Sequence, residues 1–307
     1  MAGHVRREAE SSMTPAHNVS QARIYGYCAI LVVIWASAFT LVGVAVPHIA
    51  PIWLVTFRIM LGACALTVYI KLIGERFPPI TDSRWIWYTV LGFTGMLLPF
   101  TLAAQGQLSV DSGLAAILVG VMPLITIVLA HFFTEERLTP TKFIGFGIGF
   151  FGIVILFLPD NFSLTLIANW KAQLLILAAA SSYAITTVAA KRAPKTPSII
   201  GGAMMLVGIA PVTLIIALMS GIPAHTPPPI AIGAAIGLAL FSTALANILY
   251  LRVIELSGPS LLAKVNYFIA PVSIVLGIIF LNEEFSWRMV TAFSIILIGM
   301  IIARRAR

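Results

Sequence analysis

The chain has 307 residues, of which 60% are hydrophobic and only 10% are charged, and its mean hydropathy is +1.01. Soluble domains carry about a quarter charged residues, so this composition excludes an ordinary water-exposed globule and indicates a surface that faces lipid. The net charge of +8 does not indicate a nucleic-acid-binding protein, because the basic residues are dispersed between apolar stretches. The two cysteines and five histidines show no metal-ligand spacing, so we expect no metal and no other cofactor.

The N-terminal residues 1–22 predict a disordered tail, because they are polar and contain no short apolar core followed by a cleavage site. Ten apolar stretches follow, and each approaches the roughly 20 residues that a membrane-spanning helix requires. They lie near residues 24–46, 51–73, 85–107, 112–133, 139–158, 170–190, 197–220, 228–252, 259–281 and 287–303. The predicted fold is therefore an all-α membrane protein with ten transmembrane helices.

The distribution of Lys and Arg predicts the orientation of these helices. If the N-terminus is cytoplasmic, fifteen of the nineteen basic residues fall in cytoplasmic segments, and only Lys171 and Arg288 fall on the other side. The remaining two, Arg58 and Lys264, lie within helices. Because positively charged segments are retained in the cytoplasm, this bias predicts that both termini are cytoplasmic.

The two halves of the chain repeat one another at an offset of 148 residues. Positions that match under this offset include Pro123 and Pro271, Trp35 and Tyr183, and the acidic pairs Glu135-Glu136 and Glu283-Glu284. Each half contains five helices, and because five is odd, the second half enters the membrane from the opposite side. Inverted repeats are typical of alternating-access carriers. We therefore predict two domains, residues 23–158 and residues 159–307, that gate a central site alternately.

Three motifs carry a family resemblance: WASAFTLVG in the first helix, EERLTPTKFIGFGIGFFGIVIL after Pro123, and NEEFSWRMVTAFSIILIGMII after Pro271. With these motifs, each half resembles an EamA domain of the drug/metabolite transporter superfamily. The resemblance implies a central cavity lined by the first four helices of each half, with the fifth and tenth helices at the periphery. Within the family, the chain is similar to exporters of aromatic amino acids. That similarity implies a multi-pass protein of the bacterial inner membrane that exports amino acids and functions as a monomer.

Lys264 is the strongest candidate for substrate binding, at about 9 Å from the midplane on the cytoplasmic side. A charge at this depth is costly and usually faces a cavity or a partner, although a lysine can also extend to the interface. Tyr267 and Pro271 share its helix face, whereas we expect Asn266 to point elsewhere. Arg58 is the second intramembrane cation, and the sequence leaves open whether it faces the cavity or anchors to lipid headgroups.

The other predicted substrate-binding residues are polar or aromatic side chains on the presumed cavity helices: Trp35, Ser182, Tyr183 and Asn247. An aromatic, amphipathic lining suits a flat substrate with a few polar groups, although each of these residues can equally pack against neighbouring helices. Proline removes a backbone hydrogen bond and bends a helix, so prolines within helices are predicted hinges. The predicted hinge or gating residues are Pro99, Pro123, Pro211 and Pro271.

Acidic residues lie only at the ends of the predicted helices or between them, which favours facilitated, gradient-driven transport over a proton-coupled carrier of drugs, nucleosides or sugars. The two glutamate pairs are interpreted as charges at helix N-termini. An intramembrane enzyme would need a buried nucleophile with a base, or paired metal ligands, and the sequence has no GxSG or HExxH motif. A channel would need rings of like residues or filter loops. The sequence therefore predicts a carrier for a small-molecule substrate in the lipid bilayer, and not an enzyme.

Overall fold

The structure, a computed structural model, describes residues 21–133, 139–157, 169–257 and 259–305, and in these ranges it contains helices and short connections but no strand. Most of the predicted tail, residues 1–20, lies outside the described residues. The helices are α1 (Gln21–Ala45), α2 (Pro51–Leu72), α3 (Arg84–Gly106), α4 (Ser112–Phe133), α5 (Pro140–Phe157), α6 (Trp170–Ala190), α7 (Ser198–Met219), α8 (Pro229–Ala239, continued by Leu240–Leu245 and Ala246–Ser257), α9 (Pro259–Leu281) and α10 (Trp287–Arg305).

These helices lie on the ten predicted apolar stretches to within a few residues. Within the described ranges, seven of them are long and apolar enough to cross a membrane by length and composition, namely α1–α4 and α6–α8. The helices α5, α9 and α10 contain shorter apolar stretches. In lipid, a chain must satisfy its backbone hydrogen bonds within the segment, which explains why such apolar stretches become helices.

Proline and glycine mark where several helices begin and end. The helices α2, α5, α8 and α9 each begin at a proline, whose missing N–H costs nothing in the first helical turn. Gly74 and Gly221 follow the ends of α2 and α7 with φ of 78° and 92°. This left-handed conformation favours glycine and stops a helix within one or two residues.

The helices pack in pairs that cross between the two halves of the chain. Helix α1 packs against α8 and α9, and α6 packs against α3 and α4. Helix α2 packs against α7, and α5 packs against α10. Helices α1–α4 and α6–α9 therefore enclose the centre, whereas α5 and α10 form a separate pair.

Glycines bring α5 and α10 into backbone contact. A Cβ atom added to Gly145 would lie 2.5 Å from the backbone nitrogen of Ala303, and one added to Gly299 would lie 2.5 Å from the carbonyl oxygen of Gly145. A Cβ atom on Gly152 would lie 2.9 Å from the carbonyl oxygen of Ala292. Small residues at such positions allow the close helix approach that stabilises apolar helices in lipid.

Two π-helical segments, which the sequence did not predict, interrupt α3 and α8. They span Phe93–Leu97 and Leu240–Leu245 and nearly coincide under the 148-residue offset. In α3, Pro99 lies two residues after the segment and cannot donate a backbone hydrogen bond, so the helix widens around the missing bond.

The π segment of α8 contains no proline and has a different local cause. The Thr243 hydroxyl donates a hydrogen bond to the carbonyl oxygen of Leu238, five residues earlier, at 3.0 Å. A side chain that enters the backbone ladder in this way disturbs the regular spacing of its hydrogen bonds. Two unrelated local causes therefore produce the same geometry at matching positions.

The other predicted hinge prolines differ in their surroundings. Helix α4 is interrupted at Gly120 and Val121, directly before the turn that contains Pro123. Pro211 and Pro271 lie inside the continuous helices α7 and α9. A gating role for these prolines stays a prediction.

Candidate functional site

A cavity of about 490 Å³ lies between α1–α4 and α6–α9. Small-molecule sites typically measure about 300–1,000 Å³, so this cavity can hold a small metabolite. In the described part of the chain, its lining includes no residue of α5 or α10, which is the arrangement that the family resemblance implies. The aromatic lining residues are Trp35, Phe39, Phe100, Tyr183 and Tyr250.

Arg58 is the charged residue among the described lining residues, and only 8% of its surface is exposed. Its Nε atom donates a hydrogen bond to the Oγ1 atom of Thr243 at 2.7 Å. Its guanidinium carbon lies 3.7 Å from the centroid of the Phe100 ring. A planar guanidinium stacks favourably on an aromatic face, so α2 holds this cation against α3 and α8.

The orientation of Arg58 leaves the end of its guanidinium group available to a ligand. Its hydrogen bond to Thr243 uses Nε, and within the described residues no carboxylate lies in salt-bridge distance of it. The Nη1 and Nη2 atoms form the edge of an arginine that binds a carboxylate through two parallel hydrogen bonds. The arrangement can therefore bind an anionic group inside an apolar cavity.

Two aromatic pairs flank the cavity, and each joins a helix of one half to a helix of the other. The rings of Trp35 and Tyr250, on α1 and α8, lie 5.9 Å apart at an interplanar angle of 55°. The rings of Phe100 and Tyr183, on α3 and α6, lie 6.4 Å apart at 62°. Tilted and edge-on pairs of this kind are favourable arrangements, and they present flat apolar surfaces to a ligand.

Three amide side chains, those of Gln107, Asn247 and Asn266, also line the cavity. Asn247 fits against Gly202 of α7, where an added Cβ atom would lie 2.7 Å from its Oδ1 atom. The expectation that Asn266 points elsewhere is wrong, because this residue lies on the cavity wall. Its position shows that the cavity-facing side of α9 includes Asn266 and Ile269.

The predicted site residues divide into three groups. Trp35, Tyr183 and Asn247 line the cavity, so the structure brings them together, although substrate binding by them stays a prediction. Ser182 is buried, does not line the cavity, and donates a hydrogen bond to the carbonyl oxygen of Thr94 at 2.6 Å. Ser182 therefore connects α6 to α3. Packing between helices was the alternative to substrate binding that the sequence left open for this residue.

Lys264 and Tyr267 belong to α9, but their side chains lie outside the described part of the structure. Their predicted roles in substrate binding stay predictions. Of the predicted hinge prolines, Pro123 lines the cavity, and the other three do not.

Sequence reasoning did not single out Gln107 or Thr243. Gln107, the residue directly after α3, continues a stripe of that helix formed by Met96, Phe100 and Ala103, and all four residues line the cavity. Their spacing of four, three and four residues is that of one helix face. The glutamine at the end of this stripe is a feature from which the sequence could have predicted a cavity residue. No feature of the sequence indicated a role for the hydroxyl of Thr243.

Glu283, in the connection between α9 and α10, binds the N-terminus of α4. Its carboxylate accepts hydrogen bonds from the backbone N–H groups of Ser112 at 2.6 Å and Gly113 at 3.2 Å. A carboxylate at this position satisfies unpaired N–H groups and opposes the positive end of the helix dipole. The interpretation of the second glutamate pair as helix-terminal charge is therefore confirmed for Glu283. The first pair, Glu135-Glu136, lies outside the described residues.

The sequence matches the EamA-like transporter family twice, over residues 23–158 and over residues 170–305. It is 26% identical to YedA, an uncharacterized inner membrane transporter of Escherichia coli, over 259 residues that cover 83% of this chain and 81% of YedA. It is 25% identical to an uncharacterized transporter of Archaeoglobus fulgidus over 281 residues, which are 91% of this chain and 98% of that protein.

A partial match covers 41% of this chain and 41% of a probable terminal-alkyne amino-acid exporter of Streptantibioticus cattleyicolor, at 29% identity over 125 residues. A crystal structure of another protein, 18% identical in sequence, superimposes with a TM-score of 0.62 and covers 92% of this chain and 98% of that chain. At this identity, the structural likeness concerns the fold alone. The two family matches together span most of the sequence. This chain is a multi-pass membrane protein that belongs to the EamA-like transporter family.

Proposed function

We propose that this protein exports amino acids, aromatic ones included, across the bacterial inner membrane by facilitated, gradient-driven movement. The observation that carries the proposal is Arg58, a buried guanidinium that faces the cavity without a described carboxylate partner. A charge in such a place is costly, and an intramembrane charge commonly marks a substrate pathway. The carboxylate of an amino acid would neutralise this guanidinium through two charge-assisted hydrogen bonds.

The walls of the cavity favour a flat apolar group beside that carboxylate. The guanidinium of Arg58 lies on the Phe100 ring, which pairs with Tyr183, and Trp35 and Tyr250 form a second aromatic pair. Aromatic surfaces and a few well-placed polar groups are typical of sites for flat, amphipathic ligands. The similarity to a probable amino-acid exporter supports this substrate class as well.

The described lining contains no Asp or Glu, which supports facilitated movement over proton coupling. A proton-coupled carrier commonly uses a buried carboxylate that binds either the proton or the substrate. Transport that strictly requires a pH gradient in proteoliposomes would contradict this part of the proposal.

For the mechanism, we propose rocking of two inverted five-helix repeats around the cavity, with both termini in the cytoplasm. Each helix has a counterpart in the other half, so that α1 corresponds to α6 and α3 to α8. When every helix is replaced by its counterpart, the packing of α1 on α8 and α9 becomes that of α6 on α3 and α4. The pairs α2–α7 and α5–α10 are unchanged by this replacement. The matching π segments and aromatic pairs follow the same exchange. Such symmetry allows each half to form the gate that the other lacks.

The test uses the purified protein in proteoliposomes and measures counterflow of phenylalanine, tyrosine and tryptophan. A hydrogen-bonded charged group is worth about 1.5–3 kcal/mol, so Arg58→Gln should reduce the initial rate about 10- to 100-fold. Arg58→Lys keeps the charge but loses the two-pronged geometry, so we expect an intermediate rate. Phenethylamine, which lacks the carboxylate, should not compete with phenylalanine.

Thr56→Val is the matched control for Arg58. Thr56 is buried on the same helix, and its hydroxyl donates to the carbonyl oxygen of Thr213 at 3.2 Å, but it does not line the cavity. This variant should transport at nearly the wild-type rate. The proposal fails if Arg58→Gln elutes like the wild type in size-exclusion chromatography and transports aromatic amino acids at an unchanged rate. It fails equally if phenethylamine competes as well as phenylalanine.

A further inference from the structure

Gln107 is a buried cavity residue whose side-chain amide oxygen has no hydrogen-bond partner in the described structure. Only 8% of its surface is exposed, and its Oε1 atom has no hydrogen-bond partner among the described residues. Leaving a buried polar atom unpaired costs folding free energy, so buried amides are nearly always satisfied. Because Gln107 also lines the cavity, a bound ligand can supply the missing hydrogen bond when the amide turns its oxygen, which is inaccessible in this orientation, towards the cavity.

The position of Gln107 determines which part of a ligand it can reach. It directly follows α3 and continues the cavity-facing stripe of that helix, seven residues after Phe100, which at 1.5 Å per residue is about 10 Å along the helix axis. The guanidinium of Arg58 lies on the Phe100 ring. Gln107 and Arg58 are therefore two polar ends of one cavity, and Phe100 and Ala103 form the apolar wall between them.

This separation selects among the polar groups of an amino acid. The ammonium group is attached to the same carbon as the carboxylate, so it stays close to Arg58 when Arg58 binds the carboxylate. A polar atom at the far end of an aromatic side chain extends towards Gln107 instead. A phenolic hydroxyl or an indole N–H donates a hydrogen bond, and an amide oxygen accepts one. Rotation of the amide by 180° brings either its oxygen or its nitrogen towards the cavity.

We propose that Gln107 is a specificity-determining residue that binds the polar end of an aromatic amino acid whose carboxylate is bound by Arg58. This inference rests on the proposed function and names its preferred substrates, the aromatic amino acids that carry a side-chain hydrogen-bond donor. A site built to hydrogen-bond a hydroxyl group discriminates strongly against the analogue that lacks it, since the buried polar group is then unpaired. The protein should therefore prefer tyrosine to phenylalanine.

The experiment measures the apparent affinities of tyrosine and phenylalanine in the same counterflow assay and compares their ratio among variants of the full chain. In the wild type, tyrosine should bind at least 10-fold more tightly. Gln107→Met preserves the length of the side chain and removes its hydrogen bonds, so it should abolish the preference by weakening tyrosine while phenylalanine is unchanged or improved. Gln107→Leu, a second apolar variant, should have the same effect if Gln107→Met is poorly folded.

Thr101→Val is the control on α3, the helix that directly precedes Gln107. The hydroxyl of Thr101 bonds to the carbonyl oxygen of Leu97 at 2.7 Å, and Thr101 does not line the cavity, so the tyrosine-to-phenylalanine ratio should stay that of the wild type. A ratio that is unchanged in well-folded Gln107→Met or Gln107→Leu overturns this inference. If transport then still depends on Arg58, the proposed function stands. A wild-type protein that transports neither amino acid overturns both proposals.

Discussion

The α5–α10 pair and the cavity walls formed by α3 and α8 have similarly apolar sequences but differ in how closely their helices pack. Between α5 and α10, Gly145, Gly152 and Gly299 bring the two backbones into contact. Along the cavity, α3 and α8 contain π segments, and the Oε1 atom of Gln107 has no partner in the described structure. We therefore expect the closely packed pair to tolerate larger side chains poorly, and we propose that the cavity walls are the region that binds ligand and rearranges.

The contact between α5 and α10 should be the most sensitive place in the molecule. In Gly145→Leu, the new side chain would overlap the backbone of α10, which cannot move away as a flexible side chain could. Overpacking costs about 1–3 kcal/mol even where side chains can adjust, so we expect this variant to lose its monodisperse peak in size-exclusion chromatography.

Gly147→Leu is the matched control, because Gly147 lies two residues away on α5 and a Cβ atom added to it would have no atom of another helix within 4 Å. It should yield a normal peak and normal transport. If both variants behave alike, close packing does not distinguish this pair of helices, and the contrast with the cavity is wrong.

On the cavity side, Thr243→Val should impair transport more than it impairs folding. Valine keeps the shape of threonine but removes the hydroxyl that accepts the hydrogen bond from Arg58 and donates to Leu238. Hydrogen bonds to charged groups contribute about 1.5–3 kcal/mol, and part of this loss appears as poorer positioning of the guanidinium, so we expect a roughly 5- to 30-fold lower counterflow rate.

Thr187→Val removes a threonine hydroxyl that bonds to the carbonyl oxygen of Tyr183 at an exposed position of α6, and it should not change the rate. An equal loss of rate in both variants would mean that threonine hydroxyls act here through general helix stability and not through Arg58.

The smallest effect is expected for a substitution beside the N-terminus of α4, a cavity helix whose N-terminus is bound by a glutamate of the second half. Partial desolvation raises the pKa of the Asp111 carboxyl above its ordinary value, and the nearby carboxylates of Glu283 and Glu284 raise it further. Since folding favours the protonated form, ionised Asp111 lowers stability as the pH rises from about 3.9 through the raised pKa. Asp111→Asn should therefore increase the Tm slightly at pH 7, and the increase should disappear below about pH 4.

Asp111 is exposed at the surface, so solvent screens the repulsion and keeps the effect small. Thermal unfolding of both proteins at several pH values provides the measurement. A decrease in Tm at pH 7, or a difference that does not depend on pH, would contradict the assigned sign.

The sequence predicted the positions of the helices well, because lipid imposes one requirement on every segment. A stretch of roughly 20 apolar residues must satisfy its own backbone hydrogen bonds and therefore becomes a helix. Proline at helix starts and glycine after helix ends sharpened several boundaries, as at Pro51 and Gly74. The family followed from the same apolar pattern together with the repeated motifs.

Only the tertiary structure decided which side of each helix faces the cavity. In a soluble protein, the polar face of a helix indicates its rotation, but here lipid and protein interior are both apolar, so a hydrophobic pattern carries little information about rotation. For this reason Asn266 was expected to point away from the cavity, and Ser182 was predicted to bind substrate although it connects α6 to α3. The pairing of Arg58 with Thr243 and Phe100 depends on contacts between residues as far as 185 positions apart.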